Sequence, residues 1–256
     1  MRNAGVRLLG AAGLGLVCLG ASASVHAQQF NSDSWIAKAH GTATIILAAG
    51  QQSDMTMSTF SLLPNWEFTV AAYLFNRDDD RRTADGYSTS AYAKYMFWQN
   101  AAETGGGAIK AGVGMNPSYK LESVVYKTGS ETFWTNAPIT LPFFDNRLSW
   151  DIMPGGSVTL SYPRDGEEAF AFTYSTRLAW YPFSPKLALV GEAFGSVGQA
   201  VLAPDYRAGL RWEPDVYTNI ALTYGGKFDG EQGAGVELGV MLFSPPFFCI
   251  GTCKKK

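Results

Sequence analysis

Apolar and polar residues alternate with a period of two along most of the chain. That is the signature of strands with one apolar face, not of amphipathic helices. In residues 66–75 the even positions Trp66, Phe68, Val70, Ala72 and Leu74 are apolar, and the odd ones include Glu67 and Thr69. Residues 90–99 set Ala91, Ala93, Tyr95 and Phe97 against Ser90, Tyr92 and Lys94, and 108–115 set Ile109, Ala111, Val113 and Met115 against Lys110, Gly112 and Gly114. The second half repeats the pattern over 170–180, 187–193, 206–212, 216–224 and 234–242. Arg177, Glu192, Arg207, Arg211 and Glu237 there lie on the polar face.

Adding 42–49, 54–63, 133–141 and 148–162 predicts about twelve strands. Segment 54–63 has no clean apolar face. Segment 148–162 contains Pro154-Gly155-Gly156, yet Leu148, Trp150, Ile152, Val158, Leu160 and Tyr162 keep one parity. It is therefore expected to be one strand bent at a bulge rather than a hairpin. Pro138 calls for a bulge in the sixth strand on the same ground.

With both ends of the barrel segment on one side, the connections there are mostly tight: 64–65, 100–107, 144–147, 182–185 and 213–215. The opposite side carries mostly longer, more polar ones: 76–89, 116–130, 163–168 and 196–204. Short turns alternating with longer loops are the layout of an outer-membrane barrel. A sheet in lipid must satisfy every backbone N–H and C=O, so it must close. Roughly 9–11 residues per strand suffice to cross. The expectation is an all-β, up-and-down antiparallel transmembrane β-barrel forming a single domain.

Aromatics gather at the strand ends. Trp66, Phe97, Phe143, Trp150, Trp180, Trp212 and Phe243 fall at the expected periplasmic rim. Phe75, Tyr119, Tyr162, Phe170, Tyr206 and Tyr224 fall toward the outer one. Such rings favour the bilayer interface because one part is apolar and another can hydrogen-bond.

Composition narrows the class. Of 256 residues 46% are hydrophobic but only 16% are charged, and the 28 glycines fit a turn-rich β protein. The only sustained apolar stretch lies within the first 30 residues, which excludes a polytopic helical membrane protein. The net charge of −2 offers no basic surplus for nucleic acid.

Residues 1–27 read as a signal peptide. Arg2 and Arg7 form the basic region, 8–23 the apolar one, and Val25-His26-Ala27 the cleavage site before Gln28. Val17 ahead of Cys18 argues against a lipoprotein. Removing Arg2 and Arg7 takes the net charge to −4. The remaining organisation is a periplasmic or plug segment at 28–41, the barrel at 42–243 and a tail at 244–256. Cys249 and Cys253 could form a local disulfide in an exported protein; a zinc site lacks ligands.

The candidate lumen-lining residues are Glu67, Lys94, Lys110, Asp151, Arg177, Glu192, Arg207, Arg211 and Glu237. These five cations and four anions are expected to pair with one another and with water, either lining a polar conduit or filling a closed barrel. The mixed run from Arg77 through Asp78-Asp79-Asp80 to Arg82 reads as a solvated outer loop, with divalent cations and lipopolysaccharide phosphates the alternative partners. Catalysis has no foothold. His40 is the one histidine after the leader, and no Gly-x-Ser-x-Gly elbow, His-Glu-x-x-His motif or phosphate-binding glycine loop is present. No enzyme activity, cofactor or metal is expected.

The run Pro138-Ile139-Thr140-Leu141-Pro142-Phe143 leads into 148–158, and Tyr206-Arg207-Ala208-Gly209-Leu210-Arg211-Trp212 is followed by the 233–242 pattern. These segments resemble the outer-membrane barrel family linked to meta-pathway phenol degradation, over nearly the whole mature chain. That resemblance implies uptake of hydrophobic or aromatic small molecules and transfers no site residue. The tail past Phe243 is a departure, since such barrels usually end on an aromatic residue recognised by the barrel-assembly machinery.

The function expected is a passive channel or transporter in the outer membrane of a Gram-negative bacterium, with outer-membrane lipids as surroundings and a small-molecule solute. The rivals are a non-conducting structural or adhesive barrel, a secreted soluble β-barrel or sandwich that binds a ligand, and an envelope enzyme. The soluble rival would turn Glu67, Lys94 and Glu237 outward.

Overall fold

The computed structural model describes residues 41–75, 86–102, 104–114, 119–121, 124–126, 132–160, 168–199, 205–230 and 233–248. The expected signal peptide, residues 28–40 with His40, the Arg77–Arg82 run, Cys249 and Cys253 lie outside the described residues. Every described regular element is a strand: β1 (Thr42–Gly50), β2 (Ser53–Leu63), β3 (Trp66–Phe75), β4 (Gly86–Gln99), β5 (Gly106–Gly114), β6 (Tyr119–Leu121), β7 (Val124–Tyr126), β8 (Thr132–Asn136), β9 (Ile139–Phe143), β10 (Leu148–Thr159), β11 (Ala169–Ser184), β12 (Leu187–Gly198), β13 (Asp205–Asp215), β14 (Thr218–Lys227) and β15 (Gly235–Phe243).

Among the described residues, β6 and β7 pair only with each other. The remaining thirteen strands form one antiparallel sheet that closes on itself through β1–β15 and β10–β11. β8 and β9 occupy consecutive lengths of one stave between β5 and β10. The molecule is thus a twelve-stave, single-domain barrel. Closure leaves this sheet without an open edge.

The sixth stave corrects one expectation. Asn136 pairs with Gly155 and Ile139 with Ile152, while on the other side Asn136 pairs with Lys110 and Ile139 with Gly107. The register is the same before and after Ala137-Pro138, so the break inserts no extra residue and is not a bulge. The β10–β11 register likewise runs unshifted through Pro154, Gly155 and Gly156. β10 is one strand, as its parity requires, but it has no bulge.

The reason is local. The gap at Ala137-Pro138 faces Met153-Pro154, so two residues without N–H groups sit at one interruption. Ala137 N–H still donates to Pro154 O (2.9 Å), and Ala108 N–H donates to Pro138 O (2.9 Å). Gly155 is needed because a Cβ there would strike the Asn136 side chain and Thr135 O. Register shifts fall instead at Phe60/Leu63, Met96/Trp98, Trp180/Ser184 and Trp212/Asp215. All four adjoin the tight-turn end, and bulges characteristically sit at barrel rims.

Inner and outer faces are inverted relative to a soluble protein. Leu189, Leu210, Leu222 and Leu238 are direct cross-strand neighbours on β12 to β15, and all four are exposed. Ile45, Val70, Leu74, Ile109, Phe172 and Leu178 are exposed on the same surface. A continuous apolar belt of this kind needs lipid to cover it. Trp66, Phe97, Phe143, Trp150, Trp180 and Trp212 are also exposed outward near the tight-turn end. Phe243 is the exception. It is partly buried and packs on the inner Ile46–Met57–Met241 cluster, because its odd parity on β15 points it inward.

The chain past Phe243 continues the β1–β15 seam. Ser244 N–H donates to Ala43 O (2.8 Å), Ala43 N–H to Ser244 Oγ (2.8 Å), and Phe247 N–H to Gly41 O (2.9 Å). Gly41 has φ +84°, and a Cβ on it would collide with Phe248 O.

Candidate functional site

The inner face is assembled by parity. Odd residues of β3, β10, β11, β13 and β15 and even residues of β4, β5 and β12 point inward, which brings Glu67, Lys94, Lys110, Asp151, Arg177, Glu192, Arg207, Arg211 and Glu237 onto the inner wall. Eight of them are buried and Glu192 is half-buried. Buried charges survive only when paired and hydrogen-bonded, and the register supplies the pairs.

Asp151, Arg177, Glu192 and Arg207 are successive cross-strand partners on β10, β11, β12 and β13. Signs alternate along this row. Arg177 Nε and Nη2 both donate to Asp151 Oδ2, the first at 3.0 Å, and Thr140 Oγ1 donates to Asp151 Oδ1. The next strand interrupts the row with Gly225, the partner of Arg207. Arg207 reaches past it to Glu237 on β15, Nε to Oε2 at 2.9 Å, with its guanidinium 5.2 Å from the Phe194 ring centroid. A side chain at Gly225 would meet Arg207 Cγ.

A second group lies near the tight-turn end. Arg211 Nε pairs with Glu213 Oε1 at 2.8 Å. Tyr181 OH donates to Glu213 Oε1 (2.7 Å) and accepts from Arg211 Nη2. A third group spans β3 to β5. Glu67 and Lys94 are cross-strand partners whose charged atoms approach to 2.5 Å. Lys94 is also directly opposite Lys110. Like charges at that separation repel, and the two side chains diverge: Lys94 goes to Glu67, and the Lys110 ammonium sits 5.3 Å from the ring centroids of both Tyr92 and Trp134.

Part of the remaining inner wall is apolar. Ile46, Ala48, Met55, Met57, Ala71, Ala221 and Met241 form one buried cluster, with Tyr73 packed against it. It spans β14, β15, β1, β2 and β3, strands whose inner face also carries Thr44, Thr59, Thr69, Thr223, Glu67 and Glu237. Tyr92 OH contacts Met57 Sδ at 3.8 Å and so joins this cluster to the Lys110 group. The alternation rule missed this wall. On β2 the inward set Met55, Met57, Thr59, Ser61 and the outward set Thr56, Ser58, Phe60, Leu62 barely differ in polarity, so the hydropathy pattern could not assign its faces.

Inner side chains pack closely on one another. Met57 is 1% exposed, Lys94 2% and Phe194 2%, so whatever path crosses the barrel is narrow. Among the described residues no group of His, Cys, Asp and Glu is arranged to hold a metal ion.

No family model and no curated protein sequence matches the chain. Its architecture is similar to solved barrels. The KdgM porin in complex with disordered oligogalacturonate superposes with a TM-score of 0.52 at 10% identity, over 78% of this chain and 98% of that one. An outer membrane channel from Pseudomonas putida F1 gives a TM-score of 0.54 at 9% identity, over 83% and 97%. At such identity the likeness is one of fold: the twelve-stave architecture is that of outer-membrane barrels.

Proposed function

We propose that the protein is a passive channel of the outer membrane, admitting small solutes through a constricted lumen whose wall carries both paired charges and an apolar patch. The observation that carries this reading is the inversion of faces: a leucine belt outside and a paired charge row inside. The soluble rival required Glu67, Lys94 and Glu237 outside, and all three are buried within the barrel. A porin and a channel of the same fold add support. Selectivity would come from lumen width and from the Lys/Arg and Glu/Asp lining. The mixed wall suits solutes that carry both apolar and polar parts, in keeping with the resemblance to barrels linked to phenol degradation. Export by the leader, insertion by the barrel-assembly machinery and lipopolysaccharide around the outer rim belong to the same proposal.

A non-conducting structural barrel is favoured by one observation, the near-complete burial of the inner side chains. Planar-bilayer recordings of refolded protein, with a heat-modifiability gel to verify folding, separate the two. The channel predicts discrete conducting steps whose size changes when Arg207 and Arg211 are neutralised. Folded, inserted protein without conductance would leave the structural barrel standing.

A further inference from the structure

Arg207 and Glu237, the ion pair of β13 and β15, each have a glycine as a direct cross-strand neighbour on the inner face. Gly225 on β14 stands beside Arg207, and Gly50, the last residue of β1, beside Glu237. Both side chains run over these glycines. A Cβ on Gly50 would come within 2.6 Å of Glu237 Cγ and 3.4 Å of its Oε1. A Cβ on Gly225 would come within 3.2 Å of Arg207 Cγ and 3.5 Å of its Nε. Side chains aimed at the barrel axis would leave those points empty, so both charges are laid sideways along the wall. Their ends meet there, Nε to Oε2 at 2.9 Å, and the Phe194 ring backs the guanidinium with its centroid at 5.2 Å. Glu192, the cross-strand partner of Arg207 on its other side, keeps a second carboxylate on the neighbouring strand. A long charged pair that lies flat takes up less of the bore than one that stands upright.

We infer that the Arg207–Glu237 bridge is the size filter of the conduit, and that Gly50 and Gly225 are its positioning residues. Neither glycine has a side chain to lift the pair off the wall, and that sets the width left for a solute. The inference rests on the channel reading and names the residues that fix its cut-off. At Gly50 a methyl has to displace Glu237 at Cγ, close to the backbone, where the side chain cannot simply swing its far end aside. The carboxylate then moves toward the axis, and Arg207 follows it because a buried guanidinium stays with its counter-charge. An interior at close-packed density passes such a displacement on rather than absorbing it. The charges themselves are unchanged, so the filter acts on the size of a solute and not on its sign.

The test is single-channel conductance of refolded full-length protein in planar bilayers. Polyethylene glycols of graded size serve as the sizing probe, and the heat-modifiability gel checks folding. Gly50→Ala is expected to lower conductance roughly twofold and to exclude polymers that wild type admits. Gly191→Ala is the control. That glycine faces outward between Leu178 and Ala208, and a Cβ there meets nothing within 4 Å. It should leave both readings unchanged. In a Glu237→Ala background Gly50→Ala should have no effect, because no side chain remains to be lifted. A merely structural role for the glycine would persist there. Should Gly50→Ala or Glu237→Ala fail to fold, Gly225→Ala with and without Arg207→Ala decides in the same way. Gly50→Ala at wild-type conductance, or a loss that survives Glu237→Ala, overturns the filter and leaves the channel standing. Wild type that never conducts brings down the channel reading, and the filter with it.

Discussion

At the scale of single residues, the inner charges are legible in type and facing but not in pairing. Alternation places Asp151 and Arg177 on the polar parity of their strands. Only the register makes them neighbours, and register depends on turn lengths and bulges that hydropathy does not encode. Asp151 accepts from both Arg177 and Thr140, so Asp151→Asn removes the counter-charge that Asp151 gives a buried guanidinium. The expected cost is about 3 kcal/mol, read as a lowered urea midpoint for unfolding from lipid vesicles. Combining Asp151→Leu with Arg177→Met should recover most of that loss, because an apolar pair needs no desolvation to be offset. A double variant as unstable as Asp151→Asn would show that the charge row matters for more than mutual compensation.

At the scale of elements, the strand count and the alternation of tight and long connections follow from the sequence because each outward face is unambiguously apolar. β2 is the exception. Its inward methionines and outward Thr56 and Ser58 erase the contrast on which the reading depends. The prolines mislead for a different reason. Pro138 and Pro154 each suggest a bulge alone, whereas their placement on facing strands lets both sit in one gap without a register shift. The connection between β9 and β10 carries a signal that composition does not reveal. Phe144, Asp145 and Asn146 have φ of +52°, +53° and +66°. Three consecutive side-chain-bearing residues in the left-handed region are costly, although Asp and Asn tolerate it best. Asp145→Gly should therefore stabilise the barrel by about 1 kcal/mol in the same vesicle assay. A loss of stability would mean that the aspartate side chain contributes more to the turn than its backbone conformation costs.

At the scale of the molecule, one inversion sets everything else. A soluble barrel would bury its leucines and expose its charges. Here Leu189, Leu210, Leu222 and Leu238 make an unbroken outer row, while Glu67, Lys94 and Glu237 are buried within. Leu222 is flanked on both sides by leucine, at the middle of β14. An arginine there would sit in the hydrocarbon layer, where it costs about 2–4 kcal/mol near the bilayer midplane. Leu222→Arg is accordingly expected to lower stability in vesicles by that amount and to slow insertion. At the tight turn after β13, Val216→Arg should change it by no more than about 0.5 kcal/mol, since Val216 is 80% exposed beyond the end of that strand. The comparison turns on depth, because both substitutions replace an exposed apolar residue with the same charge. Equal, small effects at the two sites would remove the lipid from around the leucine belt, and with it the membrane, leaving a water-soluble barrel whose exposed leucines would need another partner to cover them.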